Sequence, residues 1–324
     1  MTLPSVESDV DMSVKPGTLT IGVFLGGCSR ERPVSLESGR AVAEALRGLG
    51  HDVRPLDVRP GAVDADLVGG LDVVFLALHG AWGEDGQVQA KLDALGACYT
   101  FSGPEASRLA MDKVLAKARF SERGIPTPAF RVAARGDEAG LADAFDRLGP
   151  HLVTKPVCEG SSIGVSMVDS LEALRRAAEN LWAQDERVLV ERRVLGREFT
   201  VGVFGRLSLP TIEIRTPGGW YDYHFKYISD RTEYVFDHGL TTERETRVIE
   251  VALAAHEALG CRDLSRVDVM LPEEGEPQVL EVNTIPGFTS HSLIPKAAAR
   301  AGIPFGRLCE RLVAMARRRA RRKS

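Results

Sequence analysis

Between Leu152 and Met167 an apolar run carrying one cation, Lys155, breaks into Glu159-Gly160-Ser161-Ser162-Ile163-Gly164 and resumes at Val165. Read locally, this is a short strand, a loop and a second strand. Gly160 and Gly164 lack a Cβ and let the backbone approach a ligand, while Ser161 and Ser162 add hydroxyl donors to the loop amides. Such a flap beside a lysine suits the phosphates of a nucleotide. Gly160-Ser161-Ser162-Ile163-Gly164 also fits a G-x-S-x-G nucleophile elbow, and Asp268 and His291 follow in the right order. An elbow, however, needs a helix directly after its serine. Val165-Ser166-Met167-Val168 alternates like a strand, and helical periodicity starts only near Ser170, so the phosphate reading is the stronger. A glycine turn without function is the plain alternative.

The length of 324 residues allows two or three domains with a sizeable core. Apolar content of 44% and charged content of 27% are ordinary for a globular protein. Cys28, Cys98, Cys158, Cys261 and Cys309 are scattered without metal-site spacing, and with no secretion signal they read as reduced thiols in the cytosol. No run of apolar residues is long enough for a membrane span. The first 18 residues, polar and acidic, read as a disordered extension. The net charge is −4, and Arg317-Arg318-Arg319-Ala320-Arg321-Arg322-Lys323 leaves the rest of the chain near −10. An acidic body gives no broad footprint for nucleic acid, and the basic end reads as a solvated continuation of the last helix.

Taken in order, Thr18–Phe24, Val53–Val58 and Asp72–Leu78 read as strands, with a helix from about Val34 to Gly48. In such an open α/β pattern ligands collect at the carboxyl ends of strands, where Glu31 and His79 stand. Taken alone, Glu31 is equally a surface loop charge and His79 a structural histidine. No G-x-G-x-x-G or P-loop motif is present. Glu84 and Asp85 read as carboxylates capping a helix, and a single helix is expected from about Ala106 to Arg123, carrying Lys113 and a solvated Lys117. Glu191 ends a strand, where it can accept from an adenine amino group or ribose hydroxyls. Residues 216–240 read as one long loop, and its tyrosines and Trp220 argue for docking rather than disorder.

The acids near the end are the most informative. Arg266 and Asp268 share one face of a strand, and Glu281 and Asn283 share one face of the next. Asp, Glu and Asn together on paired strands make an all-oxygen site of the kind Mg²⁺ prefers when it also keeps phosphate oxygens. Solvated strand faces would not explain acids embedded in Val-rich strands. Gly287 and Thr289-Ser290-His291-Ser292-Leu293 then offer amides and hydroxyls at a helix start, a natural carboxylate site.

From about residue 19 to 315 the chain resembles the D-alanine–D-alanine ligases, which are ATP-grasp enzymes. The resemblance is carried by GGCSRERPVSLESG, LHGAWGEDG, MDK at 111–113, KPVCEGSSIGVS, GREFTVGV, YDYHFKY, RVDVML and LEVNTIPGFTSHSL. It implies an ATP-grasp fold of the α/β (α+β) class. An N-terminal open parallel α/β domain (19–103) would precede a central domain (104–191) and a C-terminal catalytic domain (192–316), both built on antiparallel sheets, with 317–324 as a basic tail. ATP would lie between the two antiparallel sheets.

The resemblance also implies roles residue by residue. Lys113, Lys155 and Ser162 would bind the ATP phosphates, with Glu191, Glu198 and Leu280 near the nucleoside and Trp220 against adenine. Asp268, Glu281 and Asn283 would ligate two Mg²⁺ (or Mn²⁺) ions, and Glu31 and His79 would hold the first D-alanine. Ser161, Glu198 and Tyr227 would form a triad closing a mobile loop that also supplies Lys226. Arg266 and the Gly287 amide would form an oxyanion hole, and Ser292 and Leu293 would take the second carboxylate. The implied activity is ATP-dependent synthesis of D-alanyl-D-alanine through an acyl phosphate, for peptidoglycan precursors, by a cytoplasmic homodimer with no membrane insertion and no nucleic-acid partner. D-serine or D-lactate as second substrate, or a non-catalytic nucleotide-binding regulator, are the alternatives. Pro33, Phe101, His224-Phe225 and Phe236-Asp237-His238 depart from the family pattern and bear on substrate affinity and the loop, whereas Tyr227 favours D-alanine.

Overall fold

The computed structural model describes residues 17–216, 232–289 and 292–322. Trp220, Lys226, Tyr227, His224, Phe225 and His291, together with the extension at residues 1–16, lie outside the described residues.

The first unit is a parallel sheet. β1 (Thr20–Gly26) lies between β2 (Asp52–Val58) and β3 (Val73–Leu76), joined by α1 (Arg32–Gly48) and a short α2 (Ala65–Val68). Six of the seven β1 residues are buried, as befits a central strand covered on both faces. The strand order 2-1-3 puts the topological switch between β1 and β3, where the loops bearing Glu31 and His79 leave the sheet. Ser35 of α1 locks the two loops together, accepting from the Gly26 amide at 2.9 Å and donating to the Ala77 carbonyl at 2.6 Å. Pro33 sits in the first turn of α1, where its missing N–H has no intrahelical partner to lose. After α3 (Gln87–Ala94), the chain leaves this unit.

The expected single helix over 106–123 is two: α4 (Pro104–Met111) and α5 (Lys113–Glu122). Asp112 separates them with extended backbone (φ −82°, ψ 101°) and caps α5, accepting from the amides of Val114 and Leu115. Helical propensity alone hides such a break; an aspartate before a lysine-started turn is its only local signal.

A second, antiparallel sheet has the order β4 (Phe130–Ala134), β7 (Arg187–Arg192), β5 (Leu152–Pro156), β6 (Ser166–Val168). α6 (Glu138–Leu148) and α7 (Leu171–Trp182) cover one face, burying Leu141, Leu148, Leu174 and Leu181 against Leu152, Val188 and Val190. The loop after β5 leads into β6 and not a helix, so a nucleophile elbow is ruled out.

The third sheet runs β11 (Glu233–Val235), β10 (Ile212–Arg215), β8 (Arg197–Phe204), β12 (Leu264–Leu271), β13 (Gln278–Asn283), with β9 (Leu207–Ser208) beside β8. Part of the span read as a loop over 216–240 is therefore strand. α8 (Thr242–Ala258) and α5 pack Val248, Val251, Ala255 and Phe120 onto Phe199, Val201, Val267 and Val269. α9 (Leu293–Arg300) and α10 (Phe305–Arg321) turn back to the first unit, where Leu308, Cys309, Leu312 and Val313 join the core of Ile21, Val42 and Phe75.

The basic end is thus mostly helix, and one of its arginines, half-buried, is anchored to the body of the protein. Arg319 pairs with buried Asp263 and donates to the Tyr99 carbonyl at 2.6 Å. Asp263, itself at φ +61°, also accepts from the Phe101 amide at 2.8 Å. Phe101 adopts φ +70° with its ring fully buried, edge-on to Phe75 and Phe288 at centroid distances of 5.6 and 5.7 Å. A bulky residue in the left-handed region costs roughly 1–2 kcal/mol, which the aromatic packing offsets.

Candidate active site

The elements converge on a cavity of about 570 Å³ lined by Glu31, His79, Lys113, Gly160, Ser161, Arg266, Glu281, Asn283, Gly287, Ser292, Leu293 and Lys296, among others. Residues more than 250 positions apart in sequence thus meet at one wall.

From the parallel sheet, Glu31 and His79 arrive together. Ser29 donates to the His79 carbonyl at 2.6 Å and accepts from the Glu31 amide at 3.2 Å. His79 is buried, with Glu84 3.9 Å from Nδ1 and Ser38 3.4 Å from Nε2. Burial alone would lower the imidazole pKa, but the Glu84 carboxylate beside it raises it above the ordinary histidine value. Glu84 also accepts from the Gly80 amide at 2.6 Å, so it braces His79 where a helix-capping role was expected. Ser38 extends the bracing to the last unit by accepting from the Phe288 amide at 3.1 Å, next to Gly287.

From the second sheet comes the glycine-serine loop. Ser161 and Ser162 both adopt left-handed backbone, at φ +55° and +57°, as does Gly164 at φ +75°. Strained pairs of this kind persist only where their surroundings fix them, and they gather at functional sites. One fixing contact is Ser161, whose hydroxyl donates to Glu31. The triad expected of Ser161, Glu198 and Tyr227 includes a residue outside the described ones; the bond from Ser161 to Glu31 is an addition to it. Gly160 passes so close that a Cβ there would stand 3.2 Å from Glu31 Oε2.

Lys117 was expected on a solvated face, yet it is fully buried. Its ammonium donates to Thr127 Oγ1 at 2.6 Å and to the Pro128 carbonyl at 3.1 Å, and lies 3.2 Å from Glu191. Glu191 also pairs with Lys155 at 2.7 Å. Glu191, only 2% exposed, therefore holds two lysines, pairings that its place at a strand end did not announce. Burial drives Lys117 down to about 8 in spite of Glu191, whereas the carboxylate outweighs burial at Lys155 and raises it. Burial pushes Glu191 up, but the two ammoniums hold it below the ordinary range. Sequence periodicity missed this cluster because nothing near Lys117 announces a carboxylate 74 residues away.

Across from it, Lys113 donates to the Glu159 carbonyl at 2.7 Å and lies 3.6 Å from Glu281. β12 and β13 put Asp268 directly opposite Glu281 and Arg266 opposite Asn283. Two like charges so placed repel; Arg266 and Lys113 each answer one of them. Arg266 grips Asp268 with Nε at 3.0 Å and Nη2 at 2.8 Å, and Thr200 donates to Asp268 at 2.7 Å. No cluster of three His, Cys, Asp or Glu side chains that could hold a metal occurs among the described residues. Two carboxylates and the Asn283 amide are hard oxygen donors that would fit Mg²⁺ if phosphate oxygens completed its shell. Charges on Glu281 and Glu198 reach Lys155, so both antiparallel sheets share one electrostatic field.

Ser292 occupies the N-cap position of α9, and its hydroxyl accepts not from that helix but from the Thr289 amide at 3.0 Å. A Cβ on Gly287 would stand 3.0 Å from that hydroxyl, so a glycine there keeps the loop against the cap.

At the root of the 217–231 segment, Arg197 and Arg215 hold Glu213. Arg197 binds both its oxygens, at 2.7 and 2.8 Å, and Arg215 one at 2.7 Å. Burial would raise this carboxyl, but the two guanidiniums bring it to about 2. Its stabilisation is therefore complete above the unfolded value near 4.5 and is lost as pH falls toward about 2. Glu213→Gln is expected to cost about 1–3 kcal/mol at neutral pH and to flatten the fall of stability over that acid window. Urea melts of both proteins across that window check it, and parallel acid limbs would contradict the assignment.

Residues 120–314 match the family model described as D-ala D-ala ligase C-terminus. The D-alanine–D-alanine ligase of Saccharophagus degradans is 44% identical over 90% of this chain and 92% of its own length, and that of Actinobacillus pleuropneumoniae is 42% identical over 90% and 96%. Among solved structures, the Bacillus anthracis D-alanine–D-alanine ligase complexed with ATP superposes with a TM-score of 0.83 at 31% identity, over 95% of this chain and all of that one. The VanG D-Ala:D-Ser ligase from Enterococcus faecalis reaches a TM-score of 0.83 at 30% identity, over 93% of this chain and all of that one. One parallel and two antiparallel sheets in this order form the ATP-grasp fold, and the chain belongs to the D-alanine–D-alanine ligase family.

Proposed function

We propose that the protein joins two D-alanine molecules into D-alanyl-D-alanine at the expense of ATP, through an acyl phosphate. The observation that carries the reading is the meeting of Glu31 and His79, the strained Ser161 loop, and Arg266 with Gly287 around one cavity. A carboxylate is a poor electrophile, so its oxygen must first take the γ-phosphoryl group of ATP. Lys113, Lys155 and Ser162 hold the phosphates in this reading, with Glu198 and Leu280 near the nucleoside and Trp220 against adenine. Glu191 also stands near the nucleoside in this reading, besides holding Lys155. Asp268, Glu281 and Asn283 hold two Mg²⁺ or Mn²⁺ ions, which when bound supply positive charge to the phosphate oxygens.

Glu31 and His79 bind the first D-alanine, and Ser292 and Leu293 take the carboxylate of the second. The second amine attacks the activated carbonyl, phosphate leaves, and Arg266 with the Gly287 amide stabilises the oxyanion. Ser161 bonded to Glu31 ties the phosphate loop to the first substrate, and Tyr227 and Lys226 close the site against water. The same reading has a homodimer working in the cytoplasm on peptidoglycan precursors. No helix among the described residues is long and apolar enough to cross a membrane.

Phosphate release with ATP and Mg²⁺ tests this, comparing D-alanine, L-alanine, D-serine and D-lactate, with product masses read alongside. Release with D-alanine and the dipeptide mass is expected. A mixed D-alanyl-D-serine or D-lactate product would move the protein to a variant ligase, and bound ATP without any release would make it a regulator.

A further inference from the structure

Helix α9 carries two cations one turn apart, Lys296 and Arg300, and both rest on aromatic rings at β11. Lys296 Nζ lies 4.2 Å from the Tyr234 ring centroid, and the Arg300 guanidinium carbon lies 5.7 Å from that of Phe236. Spacing of i, i+4 on the helix matches i, i+2 along the extended chain, so one face meets one face. The two rungs differ in charge balance. Arg300, exposed at the surface, pairs with Asp237 at 3.0 Å. Lys296 is half-buried and has no carboxylate partner among the described residues. Burial lowers its pKa from the ordinary lysine value.

Lys296 also lines the cavity, together with Ser292 and Leu293. Helical side chains lean toward the N-terminus of their helix, so Lys296 covers the turn that begins at the Ser292 cap. An ammonium stacked on a ring keeps N–H donors on its other side. A half-buried cation with no carboxylate partner among the described residues, on a cavity wall beside a helix start, is a site for an anionic group.

We propose that Lys296 is a further binding residue for the second substrate, its ammonium held over Tyr234 and taking the carboxylate of the incoming amino acid. The assignment rests on the ligase reading above. It makes the acceptor's negative charge a selected feature, over and above the amide and hydroxyl contacts at Ser292 and Leu293. It also ties the occupied acceptor site to β11, the strand by which the chain returns from the 217–231 segment to the sheet.

The test compares D-alanine with D-alaninamide as acceptor, D-alanine being the donor, in wild-type, Lys296→Met and Lys296→Arg proteins. Methionine keeps an apolar stem on the ring but no charge. Lys296→Met is expected to raise the KM for the second D-alanine by roughly ten- to a hundredfold, the worth of one charge-assisted hydrogen bond. Its preference for D-alanine over the amide should shrink by the same factor, with the KM for ATP unchanged. Lys296→Arg should keep most of the preference. A Lys296→Met enzyme that still prefers the carboxylate as strongly as wild type overturns the proposal. If instead the methionine variant is unfolded by circular dichroism, Lys296→Gln is read in its place by the same two criteria. A wild-type protein that makes no dipeptide removes the ligase reading, and this assignment with it.

Discussion

Arg266→Ala is expected to lower turnover by about 10²–10³ while ATP binding changes little. The guanidinium stands on β12, two residues from Asp268 on the same face, and binds that carboxylate through Nε and Nη2. That grip fixes the plane of the guanidinium on the cavity wall, where the ligase reading needs donors that do not reorganise during the reaction. Alanine removes the guanidinium donors and leaves Asp268, 6% exposed, with the hydroxyl of Thr200 still donating to it. A stability loss of about 1–3 kcal/mol should accompany the kinetic one, because a buried acceptor loses partners. Arg266→Lys should recover only part of the rate, since an ammonium cannot make the planar two-point contact. Single-turnover ligation beside an equilibrium ATP titration separates chemistry from binding. Unimpaired turnover in the alanine variant would remove Arg266 from the oxyanion hole.

Lys117→Met should act at the nucleotide instead. Lys117, Glu191 and Lys155 form a chain of buried charges, and Thr127, which accepts from Lys117, donates in turn to the Val279 carbonyl of β13 at 2.8 Å. One ammonium thus joins the second sheet to the strand that carries Glu281. Methionine fills a similar volume but leaves Glu191 with one cation, and breaking a buried pair costs about 3 kcal/mol or more. The expected result is a lower melting temperature and a raised KM for ATP, with the KM for D-alanine unaffected. A variant with wild-type ATP affinity and stability would show that Lys117 only fills space.

Lys117 also marks where the sequence stops being legible. The β12–β13 hairpin could be read in advance because alternation with period two puts Arg266 with Asp268, and Glu281 with Asn283, on single faces without reference to the rest of the chain. The β1 and β3 loops were legible for a similar reason: apolar runs ending in glycine announce strand ends. Burial of Lys117 depends on Glu191 in another element, and the Ser161 bond to Glu31 spans 130 residues. Neither leaves a local trace. The resemblance to a family names residues without giving their pairings, so the bond from Ser161 to Glu31 was not foreseen. The split of one expected helix into α4 and α5 was missed for a smaller reason, since Asp112 is read as an ordinary helical residue until its cap is seen.

The bond from Arg319 to Tyr99 joins positions 220 residues apart, and the core of the first unit is finished by Leu308, Leu312 and Val313 of α10. During synthesis, therefore, the parallel sheet leaves the ribosome well before the helix that covers it. Its apolar flank stays open while the two antiparallel sheets are made, an interval in which partly folded chains associate most readily. Sealing waits until α10 has emerged, so a nascent chain arrested before residue 305 should display a bound chaperone or a protease-sensitive first unit, and the full-length protein neither.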